Sequence, residues 1–341
     1  MASTPLKTAG RRSIAHIQHI EAVRPGAATG QVRTIYGQCE RDFGLIAPPV
    51  SLHSPAPDLL AATWILLREV LVADGVASRA GKETVAAAVS AGNECLYCVS
   101  VHQATLAGLA PARDGELASL EDWARAVATR DGAASRPAPF PAAVLPEYAG
   151  TAVAFQYINR MATLYLRDSP LPPGVPGIAR AGALKLLGKM MGTAARVTVQ
   201  PGASLTLLPE AELPGDLAWA AGNTTISAAY ARAAQAYETA GERSVPGGVR
   251  ALVLDVTGQW DGEPPGLGRA WATEFTSGLD SGDRTAGLLA LLTALSPHQV
   301  GDDLIGTYLA GGGNGRSLLE LTSWASFTAA RRTGSWLVPT T

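Results

Sequence analysis

Cys95, Cys98 and His102 are spaced C-x-x-C-x-x-x-H, and they use two of the chain's three cysteines and one of its five histidines. On an α-helix these positions fall at i, i+3 and i+7, so the three side chains share one face. Asn93 is a good N-cap and Gly92 breaks whatever precedes it, which predicts a helix over 94–109 with Cys95 in its first turn. The unpaired N–H groups and dipole of a helix start favour a thiolate over a thiol. A dithiol beside a base is the equipment of redox chemistry, and the stretch reads as the active site.

Other uses of these residues compete with that reading. C-x-x-C with a following His offers three zinc ligands, but the next Cys or His along the chain is His298, so Cys39 or His53 would have to fold back as the fourth. Covalent haem attachment needs His directly after the second cysteine, where Val99 stands. In the blandest alternative both thiols are core residues. A redox dithiol needs only a base and access, and His102 supplies the base one turn on. Gly311-Gly312-Gly313-Asn314-Gly315 has neither a P-loop lysine nor a strand-then-helix setting, and reads as a loop.

The elements that must position the motif are helical. Apolar residues make up 47% of the chain, much of it alanine, which suits closely packed helices. Helical periodicity is expected over 31–43, with Val32, Ile35, Tyr36, Cys39 and Phe43 on one side, so that Cys39 is a buried structural thiol. Further helices are expected over 59–73 behind an Asp58 cap, and over 79–90, 116–128, 148–166 and 180–196. Lys185 and Lys189 in the last of these read as a solvated face. Strand signals are few, the best at 196–200 and 205–208, so the fold class is mainly all-α.

Residues 1–28 read as a flexible N-terminal arm, 29–199 as the domain carrying the motif, 200–215 as a Pro/Gly-rich linker and 216–335 as a second helical domain. Ala91–Gly108 and Ala294–Gly311 align without a gap, both closing on Leu-Ala-Gly, which puts His298 opposite Cys95 and Gly301 opposite Cys98. The second domain is expected to be a degenerate duplicate that kept the fold and lost the dithiol.

A formal net charge of −2 without a basic stripe argues against a nucleic-acid partner. The longest apolar run, 285–295, is too short to span a bilayer, so no membrane partner is expected, and Arg11-Arg12 is not followed by the apolar core of an export signal. Three cysteines make no disulfide framework and fit a reducing compartment, which points to the cytoplasm.

Glu83 alone would be an acidic residue favoured at a helix start. Taken together, Lys82-Glu83, then eleven residues from Glu83 to Cys95, then Cys95-x-x-Cys98 and His102 after three more, resemble the core motif of the alkylhydroperoxidase AhpD and carboxymuconolactone decarboxylase superfamily. The resemblance is specific over 48–108. It implies an AhpD-like helical bundle that forms homo-oligomers and works without a cofactor. It also implies that Cys98 is the peroxidatic thiol, that Cys95 resolves its sulfenic acid to a disulfide, and that His102 and Glu83 form a proton relay. The implied partners are a peroxide substrate and an external thiol reductant, whether a lipoyl protein, a thioredoxin or a low-molecular-weight thiol. AhpD itself has a His just before the second cysteine, where this chain has Tyr97. The lactone decarboxylases proper lack the cysteine pair. The reading from another class is a non-catalytic helical scaffold or a redox sensor.

Overall fold

The computed structural model describes residues 4–111, 115–171 and 175–338, and among them every regular element is helical. In chain order these are α1 (Thr4–Ser13), α2 (Gly30–Gln38), α3 (Pro48–Ser51), α4 (Pro57–Leu67), α5 (Arg79–Gly92), α6 (Leu96–Leu109), α7 (Gly115–Ala126), α8 (Arg130–Ser135), α9 (Leu145–Tyr165), α10 (Gly177–Ala194), α11 (Thr224–Ser244), α12 (Gly247–Gln259), α13 (Ala270–Thr276), α14 (Arg284–Leu295), α15 (Asp302–Ala310) and α16 (Gly315–Ser335). The two segments with strand-like composition are not strands: 196–200 runs through a turn and extended chain, and Leu205–Leu207 is a single 3-10 turn. Neither has a neighbouring strand to pair with, and a lone strand leaves its backbone groups unpaired.

The architecture is built around α9, which is buried on nearly every side from Pro146 to Tyr165. A helix covered on every side is a core helix, and its polar residues must find partners within the protein. α16 and α5 pack along it, α11 lies against α4 and α16, and α14 lies against α16. The apolar core is continuous from Leu6 to Ala330. Tyr157, Tyr237 and Phe327 stack through its middle, with ring centroids 4.8 Å and 4.5 Å apart.

Two helices end in a single π turn, α2 through Cys39–Phe43 and α4 through Arg68–Val72. These turns bring three buried charges together. Arg68 Nε donates to Asp42 Oδ2 at 2.8 Å and its Nη1 to Glu69 Oε1 at 2.6 Å. Its Nη2 and the Glu69 carboxylate then hold the backbone of 200–204 through Gln200 O, Gly202 N and the Ser204 hydroxyl. A buried charge needs such partners.

The stretch 4–28, expected as part of a flexible arm, is closely docked instead. Leu6 and Ile14 are buried, and Gly10 sits so near Leu45 and Ile46 that a Cβ there would lie 2.9 Å from Leu45 Cβ. Apolar side chains on one side of α1 give it a surface to bury, which a composition rich in Arg and Thr conceals.

The motif helix α6 is gripped by α10 through bare backbone. A Cβ on Gly108 would stand 1.9 Å from Gly188 O, and one on Gly192 would stand 2.3 Å from Gly108 C. Arg196 adds hydrogen bonds to Gly108 O and Leu109 O, filling acceptors that the end of α6 leaves open. Gly108→Ala is therefore expected to force the two helices apart and lower stability by about 1–3 kcal/mol, the usual cost of overpacking. Urea unfolding checks this: an unchanged midpoint would show that the close approach is not needed.

Candidate active site

The site starts from the loop before α5. Lys82 Nζ donates to Ala73 O at 3.0 Å and pairs with Glu147 Oε2 at 2.8 Å, while Glu147 accepts the backbone N–H groups of Val76 and Ala77. Ser78 caps α5 by accepting from Gly81 N. These bonds fix the start of α5 and so the position of Glu83, one turn in.

Glu83 faces two partners. Its Oε1 accepts from Arg79 Nε at 2.9 Å, and its Oε2 accepts from His102 Nδ1 at 2.6 Å. Burial would raise this carboxyl, but the Arg79 guanidinium and His102 outweigh it and hold it below the ordinary carboxylate range. Because Glu83 is ionised, the shared proton sits on Nδ1, which leaves His102 Nε2 as the free ring nitrogen. Phe155 packs edge-on against the ring, 4.6 Å between centroids, and fixes its plane.

Between α5 and α6 the chain turns differently from the simple reading. α6 starts at Leu96, and Cys95 is its N-cap: Val99 N donates to Cys95 O at 2.9 Å. Asn93, expected as the cap, instead donates from Nδ2 to Asn159 Oδ1. The cause is Glu94, which takes the left-handed conformation at φ 53° and sets the helix start two residues later. Cys95 still meets the N-terminal end of α6, so its dipole argument survives the shift.

Both motif thiols are free and buried, at 3% and 2% exposure. They behave as one titrating pair. Cys95 is held below the ordinary thiol value, first by the Cys98 side chain and then, against burial, by Cys98 N–H, Asn159 and Thr163. Burial and the neighbouring Cys95 push Cys98 up. Of the two, Cys95 is the thiol that gives up its proton more readily. Tyr97 is pushed up by burial and by both cysteines, and stays protonated.

Cys98, His102, Tyr97 and Phe155 border a cavity of about 90 Å³ whose other walls are almost wholly apolar, among them Leu6, Phe43 and Met191. Cys95 is not on its wall. The four residues singled out in sequence, Glu83, Cys95, Cys98 and His102, therefore converge, with Cys98 and His102 facing the cavity and Glu83 behind His102.

Cys39 and His53 do not join them. Cys39 is buried and pushed up by burial, and His53 is pushed down to about 3 by the same cause, its Nε2 bonded to Tyr157 OH at 2.6 Å. Among the described residues no group of three or more His, Cys, Asp or Glu is arranged to hold a metal ion. Asn159 and Thr163, which support the cysteine pair, lie on α9 and carry no local signature that sequence reasoning could use.

No protein-family model matches the chain. A curated alkyl hydroperoxide reductase of Mycobacterium tuberculosis is 37% identical over 337 residues, covering 94% of this chain and 95% of that protein. Such identity over nearly the full length of both, joined to an all-helical fold and a buried dithiol, shows the family. The chain belongs to the AhpD-like alkyl hydroperoxide reductases. Among the described residues no helix is long and apolar enough to cross a membrane.

Proposed function

We propose that this protein reduces organic hydroperoxides by a dithiol cycle at Cys98 and Cys95. The observation that carries the reading is that Cys98 opens onto an apolar cavity beside His102, whose other nitrogen is held by Glu83. The relative's name supports peroxidase activity of this general kind.

As a peroxide enters, ionised Cys95 takes the Cys98 proton. The Cys98 thiolate then attacks the terminal peroxide oxygen, forming an S–O bond as the O–O bond breaks. The departing alkoxide takes a proton that solvent supplies through His102 Nε2, the ring being held in position by Glu83, and leaves as an alcohol. Cys95 attacks the resulting sulfenic acid, a disulfide forms and water departs, before a second peroxide can over-oxidise the sulfur. Two electrons from an external thiol reductant reopen the disulfide.

The cavity favours an apolar R group, since its walls offer hydrogen bonds almost only at the reacting end. We read the protein as a cytoplasmic homo-oligomer; Ile178 and Leu186, exposed on α10, are apolar groups that self-association would cover. The second half is read as a degenerate copy. Its helix–break–helix, α14 and α15, answers α5 and α6, and each first helix rests on a long buried one, α16 and α9 respectively.

Mass spectrometry of peroxide-treated, unreduced protein tests the cycle. A Cys95–Cys98 bridge is expected, with Cys39 left free. Thiols that stay reduced would favour the scaffold reading and sink this one.

A further inference from the structure

A second crevice, of about 440 Å³, lies apart from the apolar cavity and shares none of its lining residues. Its walls are polar and come from both halves of the chain: Asn159 and Arg160 of α9, Trp260 after α12, and the 296–299 turn with His298 and Gln299. Asn159 and Thr163, which support the Cys95 sulfur, also face it. Cys95 itself is not on its wall, so the crevice comes within one side chain of the Cys95 sulfur, through Asn159 and Thr163.

Arg160 is the unusual group in it. The side chain is 95% buried at 5% exposure, yet no carboxylate lies within ion-pair distance of it among the described residues. Its Nε donates to Ala294 O at 2.7 Å, and its Nη1 to Gln156 O and Oε1. Nη2 has no acceptor from the protein, and the Trp260 ring lies 5.8 Å from the guanidinium. Beside it Gln299 Oε1 is buried without a partner, its amide Nε2 being spent on Gly266 O. The acids on the crevice wall, Glu94 and Glu263, are exposed, and Arg125 is already paired with Glu121. A buried guanidinium whose one free donor edge opens on the crevice, with no anion beside it, offers a binding site for one.

We propose that this crevice admits the reductant, a low-molecular-weight thiol bearing a carboxylate, whose acid group pairs with Arg160 Nη2 while its sulfur reaches Cys95 between Asn159 and Thr163. This rests on the dithiol cycle above and names the class of its electron donor. The thiolate of the donor attacks Cys95 Sγ, an S–S bond to the donor forms and the Cys95–Cys98 bond breaks. The Cys98 sulfur leaves with its electron pair and takes a proton that solvent supplies through His102. A second donor thiolate attacks the donor sulfur of the mixed disulfide, releasing Cys95 as the thiolate and the donor as its own disulfide. Peroxide and reductant thus enter by different doors to different sulfurs.

The test separates this from the cycle itself by oxidising the protein with diamide, so that no peroxide step is needed. Reduction of the bridge is then timed with mercaptopropionate and with mercaptopropionamide, its neutral counterpart of similar size, each rate expressed per thiolate. The wild type is expected to prefer the acid about tenfold. Arg160→Gln is expected to erase the preference. Gln299→Glu, which leaves the three bonds of Arg160 in place and sets an anion on the wall, is expected to do so too. Equal rates for the two thiols in the wild type overturn the proposal and leave the cycle standing. Failure of peroxide to form the bridge in the first place overturns the cycle.

Discussion

Cys98→Ser is expected to abolish hydroperoxide turnover, by at least about a thousandfold, since no other group reaches the peroxide from the wall of the apolar cavity. Cys95→Ser should behave differently. It should release close to one equivalent of alcohol per chain in a burst and then stop, with a sulfenic acid on Cys98 that goes on to sulfinic acid in excess peroxide. The contrast decides a real tension in the site. Cys95 is the thiol of the pair that loses its proton more readily, which alone would argue that Cys95 strikes first. Access argues the other way, because Cys98 borders the cavity and Cys95 does not. Access wins in our reading: one proton transfer between touching sulfurs costs less than opening a buried wall to a bulky substrate. A burst from Cys98→Ser with none from Cys95→Ser would reverse the roles.

His102→Ala is expected to lower kcat/KM by about a hundredfold to ten-thousandfold, the range that a positioned acid–base group contributes. The loss should be greatest for tert-butyl hydroperoxide, whose alkoxide is a poor leaving group, and smaller for a peracid, whose carboxylate leaves without help. An equal loss with both substrates would mean that His102 only shapes the cavity. Glu83→Gln tests the second member of the relay. The Glu83 carboxyl is held below the ordinary carboxylate range, so its contribution to stability is fully present above the ordinary value and is lost as pH falls through the depressed one. The stability gap between wild type and Glu83→Gln should therefore be constant from neutral pH down to the ordinary carboxylate range and shrink only below it. Urea titrations across that window measure the gap.

The candidate quartet was legible because it is local. Cys95, Cys98 and His102 are three positions on one helix face, and Glu83 is on the helix before it, so one bend brings all four together. The bend itself was misread by two residues. Nothing in the letters Asn-Glu-Cys says that the Glu, rather than the Asn or a Gly, takes the left-handed conformation. The π turns after α2 and α4 were equally silent, because an extra residue in a helical turn changes no periodicity over so short a stretch. Asn159, Arg160 and Thr163 were missed for another reason. Their helix is buried all round, and polar residues within such a helix take their meaning from partners far away in the chain. The docking of α1 was hidden because its apolar contribution is small and its site of burial lies elsewhere, at Leu45 and Ile46.

The turn after α14 bears on how the protein could change over generations. His298 Nε2 meets Asn93 O at 3.0 Å, so a residue from the half without a dithiol steadies the bend that places Cys95. Heat tolerance and turnover are then not separate traits that selection can adjust one at a time. A substitution that loosens 296–299 is felt at the sulfur, and a library screened only for survival on heating would sort its members by activity as well.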